Sequence, residues 1–177
     1  GTGSGTAARP LLATQASNGA WDAAGSVQLD AADLAGSLEQ HGFNVSTSLL
    51  FYPQVCAKVM RRPIVTGSSV YAPQNALEAF LNQGFLGAVP VTDEMMYTAG
   101  GNNPTVEAFD VYAVDISQIV VGYTRPERAI AIRDDVDRKT YLDFEVWWVP
   151  LFLPRYWEGD SKYYKGVARL TACDANT

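Results

Sequence analysis

The spacing of apolar residues changes once along this chain. Up to Gly84 they recur at intervals of three and four, the period of helices that bury one stripe; from Phe85 onward they alternate, the period of strands. Helices first and strands afterwards predict an α+β domain, with about three helices and a largely antiparallel sheet. The first helix is expected from Leu29, with Asp30 as its cap, Asp33 at the positive end of the dipole, a stripe of Leu34, Ala35 and Leu38, and a stop at Gly42. Leu49–Tyr52 reads as a short buried strand. Pro53 suits the first turn of a second helix, which carries Val55, Cys56, Val59 and Met60 and ends at Arg61-Arg62, before Pro63. A third helix opens around Pro73, aligns Leu77, Phe80 and Leu81, and ends at Gly84.

Beyond it, Leu86–Val91 reads as a strand whose Pro90 suggests an edge or a bulge. Thr98–Thr105 has the Gly, Asn and Pro content of a loop. Strands are expected over Glu107–Val114, Gln118–Tyr123 and Ala129–Arg133, then a charged turn over residues 134–139, a long strand Tyr141–Trp148 and a last strand Tyr163–Thr171. Residues 1–28, rich in Gly, Ala, Ser and Thr, read as a flexible leader or linker, and residues 29–177 as the folded domain. GTGSG at the start lacks the strand that a phosphate loop follows.

Charge narrows the partners. Residues 1–124 hold four Lys/Arg against ten Asp/Glu, whereas residues 125–177 hold nine of each. Phosphate binding needs clustered cations, so no specific nucleic-acid site is expected. No apolar run approaches the roughly 20 residues of a membrane helix, and the N-terminus lacks the basic start and apolar run of an export signal.

Chemistry is sparse. His41 is the sole histidine, placed at a helix C-terminus, and Gly67-Ser68-Ser69-Val70 is no nucleophile elbow. Cys56 and Cys173 lie too far apart in sequence for a ligand pair and read as buried thiols, with a disulfide left open. No catalytic, cofactor or metal residues are expected. The acidic knot Asp134, Asp135 and Asp137 is the strongest metal candidate, but Lys139 and Thr140 stand where a calcium loop needs an acid and a glycine. A solvated turn is the simpler reading. An enzyme or a metal or small-molecule binding domain built on those three carboxylates is the alternative.

The aromatic segment is more informative. Leu142, Phe144, Val146 and Trp148 share one face of the long strand, and Asp143, Glu145 and Trp147 the other. Adjacent tryptophans therefore cannot share one core. Either a helix covers the second face or the strand offers a face to a partner, as expected of residue types common at interface hot spots. An adaptor binding through this segment is a further alternative.

The succession SLEQHGFNVSTSLLFYPQVCAKVMRR, ALEAFLNQGFLGAVPVTDEM, EAFDVYAVDISQIVVGYTRPERAIAI, DDVDRKTYLD, FEVWWVPLFLPRYW and YYKGVARL, over residues 30–171, resembles the C-terminal half of tailed-phage major capsid proteins of the Hong Kong 97-like fold, which encapsulin shells share. The resemblance implies an axial domain plus the C-terminal strands of a peripheral domain, in a non-enzymatic shell subunit of a virion, made in the host cytoplasm. Its partners would be copies of itself in pentamers and hexamers, and other virion proteins. It implies a loop near the capsomer axis within Thr92–Thr105. The oligomer-interface residues expected are Asp93, Glu94, Tyr97, Asn102, Asn103, Trp147, Tyr156 and Trp157. Residues 1–28 leave no room for the arm, extended loop and spine helix of a complete coat subunit.

Overall fold

The computed structural model describes residues 3–21, 24–61, 63, 75–82, 85, 88–93, 108–134 and 136–174. The chain is α+β and forms two compact units, one of residues 1–118 and 154–177, the other of residues 119–153.

In the first unit, β1 (Leu11–Ala16), β2 (Ser48–Pro53), β3 (Val89–Asp93), β4 (Ala108–Asp115), β7 (Arg155–Trp157) and β8 (Lys162–Asp174) build one sheet. Its order is β1-β8-β4-β2-β3, with β7 also paired to β8. β4 runs antiparallel to β2 and β8, and β7 to β8. β1 with β8 and β2 with β3 are parallel. The sheet is therefore mixed, where a largely antiparallel one was expected. The β2–β3 pair demands a crossover, and the chain supplies it with a 3-10 turn (Gln54–Cys56), α2 (Ala57–Met60) and α3 (Ala76–Asn82). β3 lies at the edge, where the missing N–H of Pro90 is tolerated.

α1 spans Ala24–Gln40 and packs on β1, β8 and α3. Val27, Asp30, Ala31, Leu34, Ala35, Ser37 and Leu38 are buried at helical spacing. The helix stops as its sequence demands. Gly42 takes φ 78°, its N–H donates to Glu39 O at 2.9 Å, and Phe43 N–H donates to Leu38 O at 3.0 Å. This pair of bonds, with Leu38 and Phe43 both buried, is a Schellman ending.

The start of α1 departs from expectation. Asp30 lies mid-helix and fully buried, so it caps nothing. Its carboxylate instead accepts from Ser17 Oγ (2.7 Å), Asn18 N–H (2.6 Å), Asn18 Nδ2 (2.7 Å) and Trp21 Nε1 (2.6 Å). Residues read as a leader are thus bound into the fold, with Leu11–Ala16 as a strand and residues 24–28 as the first turn and a half of α1. Local composition misleads here because the partners are remote: β1 pairs with β8.

The helix expected after Pro53 is shorter than its sequence suggests. Pro53 closes β2 with ψ 138°, outside the helical region, and helical structure after it amounts to a 3-10 turn and one α turn. α3 spans Ala76–Asn82 and is capped by Asn75, whose Oδ1 accepts from Glu78 N–H at 2.8 Å while Glu78 Oε2 accepts from Asn75 N–H at 3.4 Å; the expected ends at Pro73 and Gly84 lie outside the described residues. Phe80 is buried as its place on the stripe requires, meeting Trp21 at 4.6 Å and Phe85 at 6.1 Å between ring centroids. Trp21 also meets Phe109 of β4 edge-on at 5.1 Å, which joins helices and sheet in one core.

The second unit is a two-stranded antiparallel ribbon of β5 (Ile119–Asp134) and β6 (Lys139–Phe152). Two strands were expected where β5 runs unbroken. Its register slips between Tyr123 and Arg125 and again between Arg125 and Arg128, so two extra residues are accommodated as bulges instead of ending the strand. Val136–Arg138 turns the ribbon, with Arg138 at φ 53°. No helix among the described residues is long and apolar enough to cross a membrane.

Candidate functional site

A strand shows alternate residues on opposite faces, and the pairing register carries that division across the ribbon. Phe152, Pro150 and Trp148 of β6 stand opposite Ile119, Val121 and Tyr123 of β5; nearer the turn, Phe144 and Leu142 stand opposite Ala129 and Ala131. Val146 continues this face on β6. Its polar members, Thr140 and Arg133, sit opposite each other beside the turn. The other face is mixed: Asp143 opposes Ile130, Tyr141 opposes Ile132 and Glu145 opposes Arg128, with Trp147, Val149 and Leu151 toward the base.

Neither face is covered. Phe144 is 75% exposed, Leu142 65%, Tyr123 64%, and Trp147 and Trp148 55% each. The alternation expected for residues 142–148 is present, and the helix that would have covered one side is not among the described residues. On the mixed face Arg128 Nη2 meets Glu145 Oε2 at 2.7 Å, a rim-type pair that contributes little on its own. Beside the bulges, Arg128, Ala129, Phe144, Glu145 and Val146 line an open cavity of about 320 Å³.

The residues expected at an interface are distributed unevenly. Trp147 lies on the mixed face of the ribbon. Tyr156 of β7 is exposed, with its ring 5.1 Å from Tyr163. Trp157 is half-buried and stacks edge-on to His41 at 5.0 Å, so its ring serves packing within the first unit. Asp93 ends the edge strand β3. Glu94, Tyr97, Asn102 and Asn103, with most of the loop Thr92–Thr105, lie outside the described residues.

The chemically reactive side chains are engaged structurally. His41 Nδ1 is 2.6 Å from Ser37 O and its ring lies 3.8 Å from that of Tyr164. Burial, reinforced by a hydrogen bond to Asp160 at 2.6 Å, pushes the Tyr164 phenol up to about 12. Cys56 and Cys173 are free, buried thiols. Burial raises Cys56 to about 11 and Cys173 well above the usual range, the latter helped by the charges of Asp30 and Asp110. These are poor nucleophiles.

Asp115 is buried. Burial would raise its carboxyl, but bonds from Asn44 N–H, Ser117 Oγ, Thr47 Oγ and Ser117 N–H outweigh that and hold it below the ordinary value of 3.8. Asp110, also buried, takes Arg169 Nη2 at 2.6 Å across β4 and β8. Of the acidic knot, Asp137 lies 3.4 Å from Lys139 Nζ, Asp135 is outside the described residues, and no three metal-binding side chains cluster among those described.

Sequence reasoning missed how much of β5 belongs with β6. Tyr123 and Val121 were readable as strand residues, but only the register shows that they extend the face of Phe144 and Trp148. No protein-family model matches this chain, and no curated protein matches it in sequence.

Proposed function

We propose that this chain is a structural subunit that assembles with copies of itself, and that the assembly is a viral coat or coat-like shell of the Hong Kong 97-like kind. The observation that carries the reading is the ribbon, 14 to 16 residues a strand, with large apolar side chains exposed on both faces. A lone two-stranded ribbon is marginal in water, and exposed apolar patches beyond a few hundred Å² mark interaction surfaces. Such a ribbon is stabilised when a partner covers it.

Self-association fits better than a single heterologous partner. Both faces offer apolar area, and repeated contacts between identical subunits use two faces at once; closed symmetry then adds many modest interfaces together. The pattern of elements over residues 30–171 supports the finer reading, with the first unit as axial domain, pentamers and hexamers as the oligomers, and the virion as the location. Function in such a subunit resides in surfaces instead of a cleft.

The test is light scattering of the purified chain over rising concentration, followed by negative-stain electron microscopy. Concentration-dependent oligomers, with rings or shells in the images, are expected. A chain that stays monomeric up to its solubility limit would overturn the reading.

A further inference from the structure

The two faces of the ribbon differ, and the difference points to how copies meet. We infer that two copies pair through the apolar face, ribbon against ribbon, as a two-layer sandwich of four strands. This rests on the self-assembly reading above and specifies its contact.

Area is the first argument. With aromatic side chains of about 150–250 Å² and aliphatic ones somewhat smaller, the exposed fractions of Val121, Tyr123, Leu142, Phe144, Val146 and Trp148 amount to roughly 700 Å². A standard interface takes about 800 Å² from each partner, so one such face against its own copy reaches the size of a stable contact.

Chemistry is the second. Among the residues whose side chains are described, the apolar face carries one charged residue, Arg133, placed next to the turn. Its best complement is another uncharged apolar strand pair with the same twist, which packs aligned at about 30° and about 10 Å away. A two-fold arrangement with the ribbons pointing in opposite directions sets the two Arg133 residues at opposite ends. The mixed face sets Arg128, Asp143 and Glu145 among its exposed Tyr141, Trp147 and Leu151, so a copy laid on it would bury charges, and it is the poorer match for a ribbon-on-ribbon contact.

Strand addition at the outer edge of β6 is disfavoured as well. Pro150 has no N–H to donate, and a proline inside a paired ribbon is accommodated with its nitrogen turned outward. The outer edge of β6 therefore lacks a donor midway along its base, opposite Val121. Extension of β6 by a strand from a neighbour would be interrupted there, whereas a contact through the face needs no backbone donor.

The natural thiols make the test clean, because both are buried. In the full chain, Val146→Cys places a thiol on the apolar face and Glu145→Cys one on the mixed face. A short bis-maleimide should convert the first into covalent dimer at least about ten-fold more efficiently than the second. Phe144→Glu, which puts a charge at the centre of an apolar contact, should raise the dimer dissociation constant by about 100-fold or more. Tyr141→Glu on the mixed face should leave it within about three-fold. Circular dichroism of each variant checks that the first unit is folded.

Equal crosslinking at positions 145 and 146 overturns the pairing, as does a Phe144→Glu chain that dimerises like the parent. If larger assemblies persist in either case, self-assembly stands and only this contact fails. A parent chain that is monomeric throughout overturns both. A monomeric Val146→Cys variant whose introduced thiol resists maleimide labelling means that its own chain covers the face, which also overturns the pairing.

Discussion

Replacing Asp30 by alanine tests whether the first twenty residues are tied to the core by one buried carboxylate. Four donors converge on it: Ser17 Oγ, Asn18 N–H, Asn18 Nδ2 and Trp21 Nε1. Two of them have other partners. Ser17 Oγ can turn fully to Gly19 O at 3.0 Å, and Asn18 Nδ2 keeps Asp33 at 2.8 Å. Trp21 Nε1, buried in the core, and the Asn18 amide are left with no acceptor. Each orphaned donor costs about 1–3 kcal/mol, so Asp30→Ala should destabilise by about 2–6 kcal/mol. For a chain of this length that corresponds to a melting point lower by roughly 10 °C.

Urea unfolding followed by the helical circular dichroism signal gives the number, since α1 supplies most of that signal. Asp30→Asn sharpens the reasoning. It can keep an oxygen toward Asn18 while turning an NH₂ group toward Trp21, so about half the loss is expected. A loss below about 1 kcal/mol for Asp30→Ala would refute the argument, because it would mean that segment 17–21 finds its bonds elsewhere at no cost.

Two further outcomes follow from the buried ionisable groups. Because the Asp115 carboxyl is held below 3.8 when folded, it contributes stability that is full above that value and is lost as the pH falls through its lower folded value. Asp115→Asn should flatten the acid limb of a stability–pH curve, and an unchanged limb would disprove the assignment. Cys56 and Cys173, raised by burial, should be silent to an aromatic disulfide reagent in the native protein and should both react in denaturant; rapid native reaction of either would show that its site opens.

What could be read beforehand was local. Leu34, Ala35 and Leu38 announce a buried stripe, Gly42 its end, and Pro90 an edge or a bulge, because each depends on a residue's own backbone or its neighbours within a turn. Asp30 shows where such reasoning fails: an acid before an apolar stripe is a cap by local rule, yet its partners come from residues 17–21. Leu11–Ala16 was illegible for the same reason, since only Leu11, Leu12 and Ala13 are apolar enough to notice and its pairing lies with β8. In the ribbon the alternation of 142–148 was plain, whereas its exposure was not. Adjacent Trp147 and Trp148 said that one face needed a helix or a partner, but an apolar strand ordinarily signals a core, and exposure of both faces was not legible.

The place of β8 in the sheet carries a consequence for folding. It lies between β1 and β4, so Thr171 Oγ1 donates to Gln15 O across an interval of 156 residues. During synthesis β1 emerges well before β8 and waits unpaired until the residues between them have left the ribosome. Closure of the sheet is therefore a late event of high contact order and a slow one. Through that interval the apolar ribbon is already made, so nascent chains risk meeting one another before each has finished its own sheet.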